Sequence, residues 1–130
     1  CLDDLKMLFD PNEKMDIVRW IHDCLEEHNL TWDQINLVLI GRNGNEKEDQ
    51  IYDQLESSIA KKTSIAYFKH LCGEYQTASS FGMWMAVLSI KQNKIPFTHT
   101  SLKQGEMFRK VLLYNHDQNG HHSLMLFSAC

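Results

Sequence analysis

The sequence contains few of the features that mark membrane, nucleic-acid-binding or low-complexity proteins. No apolar stretch approaches the ~18 residues of a membrane helix, and the longest, residues 81–90, is interrupted by Gly82 and Ser89. Thirteen Lys and Arg residues stand against 17 Asp and Glu residues, so the net charge of −4 indicates no basic nucleic-acid footprint. No internal repeat appears. We therefore expect a cytoplasmic protein with no membrane span and no nucleic-acid partner.

Closely spaced cysteines are also absent. Cys1, Cys24, Cys72 and Cys130 are far apart and form no CxxC motif, which favours reduced thiols over a disulfide framework. The chain opens on Cys1 rather than Met, and no basic segment followed by an apolar one resembles a signal peptide. We therefore expect a fragment of a longer protein.

What is present is the composition of one ordinary globular domain. The chain has 130 residues, of which 43% are apolar and 23% charged, and a chain of this length buries about two thirds of its unfolded surface. We therefore predict a single domain over residues 1–130.

The apolar spacing alternates between helical and extended patterns. Asp10, Pro11 and Glu13 resemble an N-cap and first turn, and Asn29 a helix stop. The predicted elements are a helix at 11–28, a buried strand at 35–40, a helix at 46–59, a strand at 63–68, a buried helix at 78–90, and strands at 111–114 and 124–127.

This order predicts an α/β fold with layered helices on a mixed sheet of about four to five strands, ending in an antiparallel pair. The handedness of crossover connections makes the first two strands parallel neighbours. No strand precedes the first helix in this interpretation. We therefore expect a further central strand upstream of Cys1.

Three stretches, in order, resemble the C-terminal half of a thiolase-like β-ketoacyl synthase. In that family a buried strand leads to a His-Gly-Thr-x-Thr loop and then to an Asn-Asp-x-x-x-Glu helix start. Residues 30–40 correspond to the buried strand and the turn before it. Gly41 stands where the histidine of the loop would be. Asp49 stands where the Asp of the helix start would be, and Asp53 where its Glu would be.

The second and third stretches also follow the family order. The family has Lys-Ser-x-x-Gly-His before a buried helix and an Ile-Pro; here Lys69 and Gly73 match, and Glu74 replaces the second histidine. The last stretch, Asn-Ser-Phe-Gly-Phe-Gly-Gly, corresponds to residues 114–120, of which only Gly120 matches clearly. The nucleophilic cysteine of the family belongs to the N-terminal half, which this chain does not contain.

The resemblance implies fatty-acid, polyketide or polyene biosynthesis without catalysis by this chain. Condensation builds negative charge on a thioester oxygen, and one well-placed donor stabilises it by about 3 to 4 kcal/mol. A carboxylate at Glu74 would repel that charge, and Gly41 offers only a backbone N–H. The resemblance therefore implies no intact catalytic residue, no cofactor, no metal, and a homo- or hetero-oligomer with a catalytic synthase subunit and an acyl-carrier protein, as in chain-length factors.

Several residues allow two interpretations. Lys69 is either a retained site residue or a strand-end lysine at the surface. Glu74 is expected to cap the next helix or to pair with Lys69, in preference to acid–base work. Asp49 and Asp53, one turn apart, favour the helix dipole over paired-carboxylate catalysis.

The remaining candidates carry weaker signals. Three histidines and a cysteine near the end suggest zinc, but adjacent histidines in a strand point to opposite faces, which favours surface or turn positions; they are His116, His121, His122 and Cys130. Cys72 is expected to be a structural thiol rather than a nucleophile. Trp20, Trp32 and Trp84 are expected in the core.

Two alternatives from other classes remain at this point. One is a stand-alone α/β module without enzymatic activity that binds a protein partner through its apolar helix at 78–90 and an exposed strand edge. The other is a small hydrolase built on Cys72 and a histidine near the end of the chain.

Overall fold

The computed structural model describes residues 1–59, 63–75, 77–96 and 107–130. These residues form five strands, four helices and a short 3₁₀ turn, Trp32–Gln34. In chain order the strands and helices are β1 Leu2–Phe9, α1 Ile17–Glu27, β2 Leu37–Ile40, α2 Glu46–Ser58, β3 Ser64–Tyr67, α3 Lys69–Cys72, α4 Ala78–Gln92, β4 Lys110–His116 and β5 His121–Ser128. The α/β fold class is confirmed.

The strands form one mixed sheet in the order β1-β5-β4-β2-β3. Strand β2 pairs in parallel with both β3 and β4, as predicted for the first two strands of the alternation. Strands β4 and β5 are the predicted antiparallel pair. Because β2, β3 and β4 run in the same direction, their carboxyl ends meet at one edge of the sheet.

Strand β1 is the element that the sequence interpretation missed. It lies at the edge of the sheet, antiparallel to β5, so the expectation that no strand precedes the first helix was wrong. On one side Asp4 and Lys6 contact His28 and Glu27 at the end of α1. A strand whose inner face carries charged groups lacks the simple apolar alternation of a half-buried strand.

Helix α1 begins six residues later than predicted. Asp16 is its N-cap and accepts a hydrogen bond from the Arg19 N–H, at 3.0 Å. Asp10 instead closes the preceding turn, where its side chain accepts from the Met15 N–H at 2.6 Å and its carbonyl from the Glu13 N–H at 3.1 Å. Asp10 and Pro11 therefore belong to a turn and not to the start of a helix.

The helices pack on both faces of the sheet, as the layered arrangement predicts. Helices α1 and α2 cover one face through Ile21, Leu25 and Leu55, and α4 covers the other through Ala78 and Met85. Successive residues of β2 alternate between the two cores, which explains why it is apolar at every position. 

Helix α4 is not buried all round, since Trp84 is 46% exposed and Val87 37%. The expectation that Trp84 lies in the core was therefore wrong, whereas Trp20 and Trp32 pack, partly buried, against the core under α1 and α2. None of the described helices is long and apolar enough to cross a bilayer.

The cysteines also differ from the prediction. Cys1 and Cys130 form a disulfide with Cα atoms 5.5 Å apart, so the expectation of reduced thiols was wrong for this pair. Cys24 and Cys72 are free. The pairing of β1 with β5 brings the two ends together, with the Ser128 N–H donating to the Cys1 carbonyl at 3.0 Å. Without β1, sequence spacing could not predict this proximity.

Candidate functional site

The family-motif residues meet where the three parallel strands end. Gly41 follows β2, Lys69 follows β3 and Asn115 lies near the end of β4. In an open α/β sheet this edge is the usual place for a functional site. The fold therefore brings Gly41 together with Lys69 and Glu74, which lie 28 and 33 positions further along the chain.

Lys69 is buried at the centre of this cluster, with 2% of its surface exposed. Its ammonium donates to Glu74 Oε2 at 2.6 Å and to the His116 carbonyl at 2.8 Å. The expected pairing of Glu74 with Lys69 is confirmed, and the interpretation of Lys69 as a surface lysine was wrong. The Glu74 carboxylate therefore neutralises the charge of the Lys69 ammonium.

Glu74 is held from two sides. Besides Lys69, the Asn43 side-chain amide donates to Glu74 Oε2 at 3.0 Å. Gly73, the residue before Glu74, ends α3 with a φ of +85°, a conformation that L side chains rarely adopt. Its N–H donates to the Lys69 carbonyl at 2.7 Å. Gly73 is therefore needed for the backbone path.

Gly41 stands where no side chain fits. A Cβ built on it would lie 2.2 Å from Asn115 Oδ1, 2.9 Å from the Tyr52 hydroxyl and 3.0 Å from Lys69 Cε. The space that the family histidine would need is thus filled by three other side chains. Asn115 Oδ1 is itself buried without a hydrogen-bond partner among the described residues.

Asp49 supports the loop after β2. It is 3% exposed and accepts from the N–H groups of Asn43, at 3.2 Å, and Gly44, at 3.0 Å. Arg42 Nε lies 3.3 Å from the same carboxylate, and the Arg42 guanidinium also pairs with Asp53. These contacts give both acids structural roles.

Gly120 lies in the turn between β4 and β5, packed against the β1–α1 connection. Its carbonyl accepts from the Asp10 N–H at 2.8 Å, and a Cβ at this position would lie 2.6 Å from Pro11 Cα. With a φ of +81°, Gly120 shapes the hairpin turn.

Two buried histidines lie next to this cluster, and the sequence interpretation placed them wrongly at the surface. His116 and His122 are directly opposite each other on β4 and β5, with 6% and 1% exposed, and their rings stack at 5.2 Å. His121 points the other way and is exposed, as alternation predicts. The six-residue separation across a tight turn was the signal available in the sequence.

Both imidazoles are kept neutral by their surroundings. Burial, with the adjacent His116 ring, lowers the pKa of His122 to about 4. Burial and the Lys69 ammonium lower the pKa of His116 below its ordinary value. Tyr52 connects the histidines to the cluster, because the His116 N–H donates to its hydroxyl at 3.1 Å and burial raises the pKa of the Tyr52 phenol.

Cys72 has the properties of a structural thiol. Burial raises the pKa of the Cys72 thiol, although Tyr75 acts in the opposite direction, so the reactive thiolate is depleted at neutral pH. We expect Cys72 to react with a haloacetamide at pH 7.5 at least about fivefold more slowly in the folded chain than in urea. The rates are measured by mass spectrometry. Equal or faster labelling in the folded chain would contradict the assignment.

The Lys69–Glu74 pair itself makes a testable prediction. Glu74→Gln keeps an oxygen acceptor but removes the countercharge of a buried ammonium, so we expect the free energy of unfolding to fall by about 2 kcal/mol. Lys69→Met together with Glu74→Gln removes both charges. We therefore expect the double variant to lose less free energy of unfolding than the sum of the losses measured for Lys69→Met and Glu74→Gln separately. Urea denaturation of the four chains tests this, and strictly additive losses would contradict it.

Comparison with known proteins gives a likeness of fold. No protein-family model matches the chain, and no curated protein does. A chain of the apo AntDE:AntF structure, a type II PKS acyl-carrier protein in complex with its ketosynthase bound to the hexaketide, is similar with a TM-score of 0.64 and 16% identity. The similarity covers 99% of this chain and 33% of that one. This chain thus spans about a third of the chain that it resembles in fold.

Proposed function

We propose that the chain is the C-terminal part of a β-ketoacyl-synthase-like protein that acts as a non-catalytic partner subunit in polyketide, fatty-acid or polyene biosynthesis. A resemblance in sequence and a likeness of fold support this proposal. The sequence matches the synthase motifs at Asp49, Lys69, Gly73 and Gly120, and the fold resembles a chain from a polyketide-synthase complex over 99% of its own length.

The non-catalytic part of the proposal rests on Gly41, which stands where the family has a histidine. At Gly41, the side chains of Asn115, Tyr52 and Lys69 fill the space next to Cα. An enolate oxygen needs hydrogen-bond donors aimed at it, each 2.7–3.1 Å away. A glycine in this packed position supplies no imidazole, so one of the two family donors is lost.

The second donor position is lost for a different reason. Glu74 carries a carboxylate 2.6 Å from the Lys69 ammonium. The ion pair occupies the Lys69 ammonium at the centre of the cluster, and the carboxylate opposes a developing negative charge. Both features favour a scaffold or partner role over condensation.

Native mass spectrometry tests the proposal. The protein is co-expressed with the condensing enzyme and the carrier protein encoded beside it. We expect a stable complex between this protein and the synthase that contains a nucleophilic cysteine. Asp33→Asn, at an exposed position in the turn before β2 and so at the other end of the strands, is a surface control that should leave assembly intact. Recovery of the protein without either component would contradict the partner role.

A second candidate function is a stand-alone interaction module, and one observation favours it. Leu5, Met7 and Phe9 lie on the α4 face of β1 and are 49%, 74% and 62% exposed. An uncovered apolar edge strand is a ready site for protein association. This alternative predicts association that Met7→Lys weakens and that requires neither a synthase nor a carrier protein, measured by analytical ultracentrifugation.

A further inference from the structure

The paired histidines line a cavity that the family resemblance does not use. It has a volume of about 130 Å³ and lies between the β1–α1 connection, helix α2 and the β4–β5 turn. Its lining includes His116 and His122, together with the acidic side chains of Asp10, Glu13 and Glu48. Two imidazoles and three carboxylates, together with Lys47, thus border one small space.

One imidazole nitrogen in this cavity has no partner. Tyr114 OH lies 2.9 Å from His122 Nδ1 and fixes the ring from the core side. His122 Nε2 is buried and has no hydrogen-bond partner among the described residues. A buried, unsatisfied polar atom costs about 1–3 kcal/mol, so its retention calls for an explanation.

The opposed positions of the histidines suit a shared ligand. They face each other across β4 and β5, on the same face of the sheet. Directly opposite residues in an antiparallel pair have Cβ atoms about 4.5–5.5 Å apart, so a change of ring rotamer can bring both imidazoles to one ion. In the structure the two rings are stacked, and among the described residues the three ligand atoms that converge within 4.8 Å are those of His22, Asp23 and Glu26, so binding at the paired histidines requires their side chains to rotate. Nitrogen from imidazole together with carboxylate oxygen is a donor set that Zn²⁺ and related ions accept.

The carboxylates are not equally available. Asp10 already accepts the Met15 N–H, and Glu48 accepts from the side chains of Asn43 and Asn45. Glu13 is exposed, and its carboxylate makes no hydrogen bond or ion pair with the described residues. Glu13 is therefore the carboxylate that is free to turn toward the histidines.

We propose that His116 and His122, with Glu13 as the third protein ligand, form a site for a divalent transition ion of the zinc class. The Tyr114 contact to His122 Nδ1 is the kind of outer hydrogen bond that orients a ligating histidine. Binding would join the β1–α1 connection to the β4–β5 turn. The proposal replaces the sequence-based expectation of no metal and does not depend on the synthase-like function.

Zinc titration calorimetry on the full chain, stripped of metal, tests the proposal, with Mg²⁺ as the non-binding control. We expect one Zn²⁺ per chain with a Kd in the micromolar range or tighter, and a higher Tm in its presence. His116→Gln and His122→Gln should each weaken binding by about 100-fold. His121→Gln, one residue along on the exposed face, is the matched control and should bind as the unchanged chain does.

Three results would overturn the proposal. The first is no binding by the unchanged chain. The second is binding that persists in both His116→Gln and His122→Gln. The third is binding lost in His22→Gln, because His22, Asp23 and Glu26 form an exposed group whose ligand atoms lie within 4.8 Å of one another. If His116→Gln and His122→Gln prevent folding, Glu13→Gln tests the proposal instead. We expect this variant to keep its circular dichroism spectrum and to bind Zn²⁺ at least about tenfold more weakly.

Discussion

Gly120→Ala is expected to lower the free energy of unfolding by about 4 kcal/mol. Two causes act together. The φ of +81° is unfavourable for any L side chain, and the new methyl group would lie 2.6–2.8 Å from backbone atoms of Asp10 and Pro11. Backbone atoms cannot rotate away as the end of a side chain can. Urea denaturation at neutral pH measures the loss.

Gly44→Ala is the matched control for this substitution. Gly44 has a similar φ of +90°, but an added Cβ would have no atom within 4 Å. Only the conformational penalty applies, so we expect a loss of about 1 kcal/mol. Equal losses for the two variants would show that the packing of Gly120 against the β1–α1 connection contributes nothing.

Gly41→Ala is expected to cost about 3 kcal/mol for a different reason. The backbone of Gly41 is not left-handed, so the whole penalty comes from crowding by Asn115, Tyr52 and Lys69. Gly41→His should cost more and should not create condensing activity. The measurement is urea denaturation of each variant, with a condensation assay on any Gly41→His protein that folds.

A double-mutant cycle separates crowding from other causes. Asn115 Oδ1 is the nearest atom, at 2.2 Å from the added Cβ, so Asn115→Ala should recover at least about 1 kcal/mol when combined with Gly41→Ala. Additive losses would contradict the packing explanation, and with it the claim that the histidine position is filled.

The sequence predicted the central elements because their signals are local. Strand β2 is apolar at each of its four positions, and α2 begins at Glu46, as its spacing indicates. The Lys69–Glu74 contact was also predicted, since Glu74 lies only five positions after Lys69 and directly follows Gly73. In each case the determining interactions lie within a short stretch of chain.

The missed features depend on long-range packing. Strand β1 is recognisable only beside β5, and the Cys1–Cys130 disulfide follows from that pairing. The burial of His116 and His122 depends on the β1–α1 connection and α2 closing over the sheet end. Polar residues at strand ends resemble surface positions until the covering elements are known.

We propose that the chain assists condensation without performing it. A carrier-protein condensation assay tests this most directly, with the complex purified from co-expression, the neighbouring synthase alone, and this protein alone. The account predicts β-ketoacyl product from the complex, little from the synthase alone and none from this protein alone. Product formed by this protein without a cysteine-containing synthase would contradict the account.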